Sequence, residues 1–188
     1  MSATSTWKIR LATLDDIPAL DVLIPLSVRG LQVNDYNEAQ REAAIGPVFG
    51  VDRQLIEDQT YFVAETPTGQ IIGCGGWSKR QTQCGSSVGR TEPDLLINPL
   101  TDAARIRAFF IHPNWARRGI GRSILTACEE ALLAAGFNRA EISATLTGEP
   151  LYVAAGYHVT ERFDIPLANG LPLPCVRLAK NFPSPKPL

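Results

Sequence analysis

The chain has 188 residues, of which 45% are hydrophobic and 20% charged, and its net charge is −1. These values are typical of a globular protein long enough to bury a full core, so we expect one domain over residues 1–188, with a core at about 8–180 and a frayed tail at 181–188. A pI of about 6.1 gives no reason to expect a nucleic acid or an anionic membrane as a partner. No apolar signal segment or run of about 18 apolar residues is present, which predicts a soluble cytoplasmic protein.

The first half of the chain predicts a strand, a helix and then a hairpin. Residues 8–12 have strand character, and the segment from Thr13 to Asp16 resembles a capping box that starts a helix at about residue 15. We expect Pro25 to kink or end this helix, because a proline inside a helix loses a hydrogen bond and clashes with the preceding turn. Residues 27–34 are then expected to form a loop, followed by short helices at 37–45 and 52–58. Strands at 61–65 and 70–79 flank a turn at 67–69.

The second half begins after a long polar segment, residues 80–103, for which we expect no regular structure. A strand at 105–111 leads through a loop into an amphipathic helix that Gly136 ends. A strand at 139–145, a short helix at 149–155 ended by Gly156, and a hairpin of strands 158–166 and 173–180 complete the chain. The hairpin turns at residues 168–170.

The four cysteines carry no metal-binding pattern. Cys74, Cys84, Cys128 and Cys175 are widely scattered, and neither a C-x-x-C pair nor a His-rich spacing is present. We therefore expect free thiols in a reducing compartment and no metal site.

The loop after the strand at 105–111 has the character of an anion site. Gly119 and Gly121 precede a helix, leave room for close approach to the main chain and permit a positive φ. Backbone N–H groups at a helix start attract phosphate, and Arg117, Arg118 and Arg122 add positive charge. The alternative is that the two glycines only allow tight packing. The loop lacks the Lys-Ser/Thr ending of a P-loop and the third glycine of a dinucleotide fingerprint.

The segment IHPNWARRGIGRSIL resembles the acetyl-CoA-binding signature of the GNAT N-acetyltransferase superfamily, Arg/Gln-x-x-Gly-x-Gly/Ala after a strand that ends in His-Pro. Ala116 stands at the Arg/Gln position. The element order over residues 8–180 is also similar to that family. The resemblance implies an α/β (α+β) GNAT fold, with a mixed, mostly antiparallel sheet of six to seven strands whose fourth and fifth strands splay apart. It implies acetyl-CoA as cosubstrate without a metal, bound by Phe109, Phe110, Ile111, Ala116, Arg117, Arg118, Gly119, Ile120, Gly121, Arg122 and Ser123.

A second similarity to the family lies at residues 151–157, LYVAAGY. It implies that Tyr152 protonates the departing CoA thiolate or hydrogen-bonds to its sulfur; the alternative is that Tyr152 only packs the short helix. Many family members carry a catalytic glutamate early in the fourth strand, where this chain has Arg105. Substitutes for that base are Glu92, Asp94, Asp102 and His112, and the sequence assigns the role to none of them.

The resemblance therefore predicts an N-acetyltransferase that moves an acetyl group to the amine of a small molecule or peptide by direct attack on the thioester. Two alternatives stay open: a non-catalytic acyl-CoA-binding sensor module of the same fold, and a nucleotide-binding protein of another fold. Homodimer formation also stays open. The sequence does not identify the acceptor amine, for which the candidate binding residues are Arg29, Asp35, Tyr36 and Trp77.

Overall fold

The computed structural model describes residues 7–82, 85–86 and 91–183. They form seven strands and five α-helices around one sheet. The strands are β1 Lys8–Leu11, β2 Tyr61–Glu65, β3 Ile71–Ser78, β4 Ala104–Ile111, β5 Arg139–Thr145, β6 His158–Pro166 and β7 Pro172–Asn181. The helices are α1 Ile17–Leu31, α2 Glu38–Ala44, α3 Arg53–Glu57, α4 Ile120–Ala134 and α5 Glu149–Ala154, with 3-10 turns at Leu14–Asp16 and Pro113–Trp115.

The sheet order is β1-β2-β3-β4-β5-β7-β6. Every neighbouring pair is antiparallel except β4 and β5, which run parallel. The predicted mixed, mostly antiparallel sheet flanked by helices is confirmed.

The parallel strands β4 and β5 stay together only at their beginnings. Ala104, Arg105 and Ile106 pair with Ala140, Glu141 and Ile142, and no pairing continues beyond them. Because β4 runs on to Ile111 and β5 to Thr145, the two strands diverge over their carboxyl halves. This confirms the splayed strands that the sequence resemblance implied.

Each face of the sheet carries its own apolar core. Alternate strand residues point to opposite faces, so Val63 and Ala64 of β2 belong to different clusters of buried side chains. One cluster includes Ile120, Ile124 and other residues of α4, and the second includes α1. Helices α1 and α4 therefore cover opposite faces, and the gap between β4 and β5 lies between them.

Pro25 was predicted to kink or end α1, and it does not end the helix; the predicted loop at 27–34 is wrong for residues 27–31. The helix continues through Pro25 to Leu31, and Ser27 and Val28 are buried within it. Burial of one whole face against the sheet outweighs the local cost of the proline, as tertiary packing commonly does. At the end of α1, Gly30 lies directly on Pro113: a Cβ there would be 2.5 Å from the proline ring. This close contact seats α1 against the turn that follows β4.

The tail that was predicted to fray from residue 181 begins later than expected. Strand β7 includes Asn181, and the Phe182 N–H donates to the Asn138 carbonyl at 2.8 Å, so the chain remains packed through these residues. Residues 184–188 of the predicted frayed tail lie outside the described residues. Cys74, Cys128 and Cys175 are buried free thiols, whereas Cys84 also lies outside the described residues. No helix in the described part of the chain combines the length and the apolar composition needed to cross a membrane.

Candidate active site

A cavity of about 560 Å³ occupies the gap between β4 and β5. Its wall includes the end of α1 from one face of the sheet and the first turn of α4 from the other. Most of the cofactor residues expected from the sequence lie in this wall, namely Phe109, Phe110, Ile111, Ala116, Arg117, Gly119, Ile120, Gly121 and Arg122. Arg118 and Ser123 do not line it. Tyr152, the expected catalytic residue, lies in the same wall.

The loop before α4 presents a run of unpaired backbone donors. Arg117 has φ +62° and Gly119 has φ +88°, and such left-handed residues turn successive N–H groups toward a common centre. The amides of residue 117 and residues 119–122 do not donate to an acceptor among the described residues. Because three of them belong to the first turn of α4, the positive end of the helix adds to their field. The result is a cradle for an anion.

The two glycines of the loop have different structural roles. Only Gly119 uses a positive φ, and a Cβ there would meet nothing within 4 Å. At Gly121 a Cβ would lie 3.2 Å from Leu151 of α5. Gly119 therefore shapes the loop, while Gly121 allows α5 to approach α4 closely.

The three arginines of the loop are also used differently. Arg117 is exposed in the cavity wall. The Arg118 guanidinium stacks 4.9 Å from the centroid of the Trp115 ring, and Arg122 donates to the Ala154 carbonyl at 3.1 Å. The side chain of Arg122 thus links α4 to α5, and all three charges remain next to the amide cradle.

A bulge in β4 turns one peptide group at the cavity. Arg107 pairs with Gly76 and Phe110 with Cys74, so Ala108 and Phe109 together face a single residue of β3. Ala108 has φ +57°, and its carbonyl accepts a hydrogen bond from Tyr61 Oη at 3.0 Å. Because a trans peptide holds its C=O and N–H antiparallel, the Phe109 N–H points away from Tyr61. The bulge thereby sets the direction of that donor.

Tyr152 is buried in the cavity wall, and its side chain makes no hydrogen bond to a described residue. Its ring packs edge-to-face against Phe109, with centroids 5.9 Å apart, and against Tyr157 at 6.0 Å. Burial raises the pKa of Tyr152 well above its usual value, so the hydroxyl stays protonated. No described residue accepts or donates a hydrogen bond at this hydroxyl. Tyr152 can therefore offer its proton to a ligand.

The cavity wall holds no candidate base. Among the described residues that line it there is no Asp, Glu or His, and the segments outside the described ranges contain none of these types in their sequence. Asp94 and Asp102 accept hydrogen bonds from Thr82 and from the Asn98 N–H, and the remaining loop carboxylate, at position 92, is exposed outside the wall. His112 accepts a hydrogen bond from the Asn114 N–H on Nδ1, so it caps the turn after β4.

Arg105 is also engaged away from the cavity. It forms an ion pair with Glu141, its register partner on β5. The two residues stabilise the seam where β4 and β5 still touch.

Arg107 is a wall residue that sequence reasoning missed. It is 5% exposed, and its Nη2 lies 2.7 Å from Asp52 and donates to the Gly85 carbonyl at 2.6 Å. A second donor, Nη1, reaches the Thr82 carbonyl. Arg107 thus holds α3 and the segment after β3 against β4. No sequence pattern connects Arg107 with Asp52, since 55 residues separate them.

The expected acceptor-binding residues do not line the cavity. Arg29 pairs with Glu42 on the surface, and Trp77 packs against Phe137 in the core. Tyr36 donates to the Pro174 carbonyl at 2.6 Å and accepts from the Leu146 N–H. Asp35 accepts from Thr147, a wall residue, at 2.6 Å. These contacts make the four residues part of the framework around the site.

Two polar residues of α1 and its cap occupy the wall instead. Ser27 accepts a hydrogen bond from the Ile111 N–H at 3.1 Å, so this amide of β4 is paired in the structure. Gln32 is 6% exposed. Both fall in the segment predicted to be a loop, and no sequence pattern singled out either residue.

The sequence profile of the Acetyltransferase (GNAT) domain matches residues 57–159, more than half of the chain. The chain belongs to the GNAT acetyltransferase family. The matched segment contains β4, β5, the amide cradle and Tyr152. No curated protein matches the chain in sequence.

Solved structures of the family share the fold over nearly the whole chain. A GCN5-related N-acetyltransferase from Rhodopseudomonas palustris is 19% identical with a TM-score of 0.69, covering 97% of this chain and 99% of that one. The PaiA N-acetyltransferase of Thermoplasma acidophilum, solved with coenzyme A, is 13% identical with a TM-score of 0.64, covering 95% and 100%. The acetyltransferase YncA of Salmonella typhimurium, solved with acetyl-CoA, is 14% identical with a TM-score of 0.63, covering 97% and 98%.

Proposed function

We propose that this protein is an N-acetyltransferase that transfers the acetyl group of acetyl-CoA to the amine of a small molecule or peptide. The observation that carries the proposal is a cavity that combines the amides of residue 117 and residues 119–122, the gap between β4 and β5 and the hydroxyl of Tyr152; neither these amides nor this hydroxyl is hydrogen-bonded to a described residue. The amides can bind the pyrophosphate of acetyl-CoA, and the gap between the strands can hold its pantetheine arm. The Tyr152 hydroxyl can donate a hydrogen bond to the sulfur when the thioester is cleaved.

We propose one orientation for acetyl-CoA in this cavity. Its pyrophosphate would lie on the amides before α4, where Arg117 and Arg118 add positive charge. Its pantetheine arm would follow β4 into the gap, in the way that an added strand pairs with a sheet edge. The relatives solved with coenzyme A and acetyl-CoA support the choice of acetyl-CoA as the ligand. The residues proposed to bind the cofactor are those expected from the sequence, with Arg118, Arg122 and Ser123 contributing through charge or loop geometry.

The proposed chemistry is direct transfer. The neutral amine nitrogen attacks the thioester carbonyl, a C–N bond forms, and the carbonyl oxygen becomes an oxyanion that the Phe109 N–H can stabilise. The C–S bond then breaks, and the thiolate leaves with a hydrogen bond from Tyr152 before it is protonated. The nitrogen releases its proton to solvent.

The buried position of Tyr152 defines its role more narrowly than the sequence did. A solvated phenol has a pKa close to that of a thiol, which would make proton transfer nearly balanced. Burial raises the pKa of Tyr152, which favours its neutral form. We therefore propose that Tyr152 acts chiefly as a hydrogen-bond donor to the developing thiolate.

The absence of a carboxylate from the described cavity wall favours one rival function, a module that binds acyl-CoA without transferring it. Thermal shift and turnover assays separate the two functions. Acetyl-CoA at a hundred times its Kd should stabilise the fold by about 2.7 kcal/mol, whereas ATP and NAD should leave it unchanged. Free-thiol release that depends on an added amine supports the transferase. Stabilisation by acetyl-CoA with no release for any amine supports the binding module, and a larger shift with ATP contradicts both.

A further inference from the structure

Gln32 is the feature of the cavity that neither the cofactor nor the fold explains. It caps the end of α1, where its N–H donates to the Val28 carbonyl and its own carbonyl accepts from the amides of Asp35 and Tyr36. Both backbone polar groups of Gln32 are therefore hydrogen-bonded. Gln32 lies in the cavity wall and is 6% exposed, and its side-chain Oε1 is buried without a hydrogen bond to any described residue.

A buried side-chain amide without partners is rare in folded proteins, because it loses its hydrogen bonds to water and gains none in return. An amide has both a donor and an acceptor, so a matching ligand group must offer both as well. Gln32 lies on the α1 face of the sheet, opposite the amide cradle of α4. The ligand in question is therefore the acceptor rather than the cofactor.

The wall around Gln32 is apolar. Its chain neighbour Leu31 lines the cavity, as do Val48, Phe49 and Ile165, which pack in the apolar cluster on the α1 face. An acceptor that occupies this space buries a hydrocarbon group and presents only one neutral polar group to Gln32. A polyamine would bring several charges next to a wall that holds no carboxylate among its described residues.

The lack of a base in the described wall separately limits the pKa that the acceptor amine can have. An alkyl amine such as that of lysine has a pKa near 10.4 and is almost entirely protonated at pH 7, whereas an α-amino group titrates near 7.7–8.0. With no carboxylate or imidazole in the described wall to remove a proton, the site favours an amine that is partly neutral in solution. An α-amino group next to an amide satisfies this condition and carries the group that matches Gln32.

We propose that the acceptor is an α-amino amide with an apolar side chain, and that Gln32 recognises its amide. This inference rests on the proposed function. The acetyl group passes from the thioester sulfur to the α-amino nitrogen, whose displaced proton goes to solvent, and the sulfur leaves as the CoA thiolate. Both an amino-acid amide and the first residue of a peptide contain this chemistry.

The test compares five acceptors with the wild-type protein: leucinamide, leucine methyl ester, free leucine, a leucyl dipeptide amide and spermidine. The methyl ester keeps the apolar side chain and an α-amino group next to a carbonyl but lacks the amide N–H. We expect kcat/KM to be about tenfold higher for leucinamide than for the ester. The ratio between leucinamide and the dipeptide amide distinguishes a free amino-acid amide from a peptide as the source.

The Gln32→Met variant then tests the residue itself, with Gln70→Leu in the exposed β2–β3 turn as the matched control. We expect Gln32→Met to remove the tenfold advantage of leucinamide over the ester while the Kd for acetyl-CoA stays within about twofold. The control should keep the advantage. Equal losses for amide and ester would overturn the role of Gln32, since a purely structural effect would not distinguish them.

The wild-type data separate the two levels of the proposal even if the variant does not fold. Acetylation of spermidine but not of the amides would overturn the inference and leave the acetyltransferase intact. No acetylation of any amine, with acetyl-CoA bound, would overturn the proposed function and this inference with it.

Discussion

Replacement of Tyr152 by Phe separates catalysis from packing, because the Tyr152 hydroxyl has no partner among the described residues. Removing it leaves no buried group unsatisfied, so the free energy of unfolding should stay within about 1 kcal/mol of the wild type. In the reaction the same hydroxyl would face a thiolate. A hydrogen bond to a charged group contributes about 1.5–3 kcal/mol, which corresponds to a fall in kcat of about 10- to 150-fold.

The neighbouring residue provides the control for this variant. Tyr157 packs against Tyr152 and does not line the cavity. Its hydroxyl is buried near the Glu129 carboxylate and has no hydrogen bond of ordinary geometry to a described residue. Tyr157→Phe should therefore match Tyr152→Phe in stability while keeping the wild-type kcat. The assays are free-thiol release under saturating acetyl-CoA and urea unfolding. A Tyr152→Phe variant that turns over at the wild-type rate, or a Tyr157→Phe variant that is equally slow, would refute the reasoning.

Two further predictions concern the anion cradle and the acid sensitivity of the fold. Gly119→Asp should weaken acetyl-CoA binding by at least about tenfold in calorimetry, since it places a carboxylate next to the pyrophosphate. Gly119→Asn adopts the same left-handed backbone without the charge and should bind nearly normally; equal losses would point to strain alone. Arg10 pairs with Asp16 and Glu65 at 2.7 and 2.9 Å; its hydrogen bonds lower the pKa of Asp16 and lower that of Glu65 to about 2. Because both folded-state pKa values are depressed, this stabilisation is complete above about pH 5 and is lost as the pH falls toward 2. Urea unfolding from pH 7 to pH 3 should show that loss, and Arg10→Met should flatten it; an unchanged pH dependence would contradict the assignment.

Local patterns in the sequence predict most of the helices and strands but not how these pack against one another. Alternating apolar residues locate the strands, and the glycine loop with its arginines indicates an anion site by its residue types and spacing alone. The sequence did not predict that α1 continues past Pro25, because burial of Leu20, Leu23 and Val28 against the sheet stabilises the helix. The local pattern around a proline contains no information about that tertiary packing.

Sequence patterns did not single out Gln32 on the acceptor side of the site for the same reason. Gln32 reaches the cavity only because α1 continues past Pro25 and Gly30 seats it against Pro113. The buried pair of Arg107 and Asp52 likewise depends on β4 and α3 lying together in the fold. The splayed strands were expected from family resemblance, since no periodicity in β4 or β5 indicates that their pairing stops.

The short contact between β4 and β5 has a mechanical consequence. Strands β1–β4 and β5–β7 form two ribbons that share only three paired positions, so the sheet is weakest across its centre. An acyl-CoA arm in the gap would bridge the ribbons with main-chain hydrogen bonds and make the cosubstrate a structural component of the sheet. We expect the fraction of molecules that open at this seam, and with it the rate of proteolysis, to rise when acetyl-CoA is scarce. The abundance of the protein would then follow the supply of its own cosubstrate.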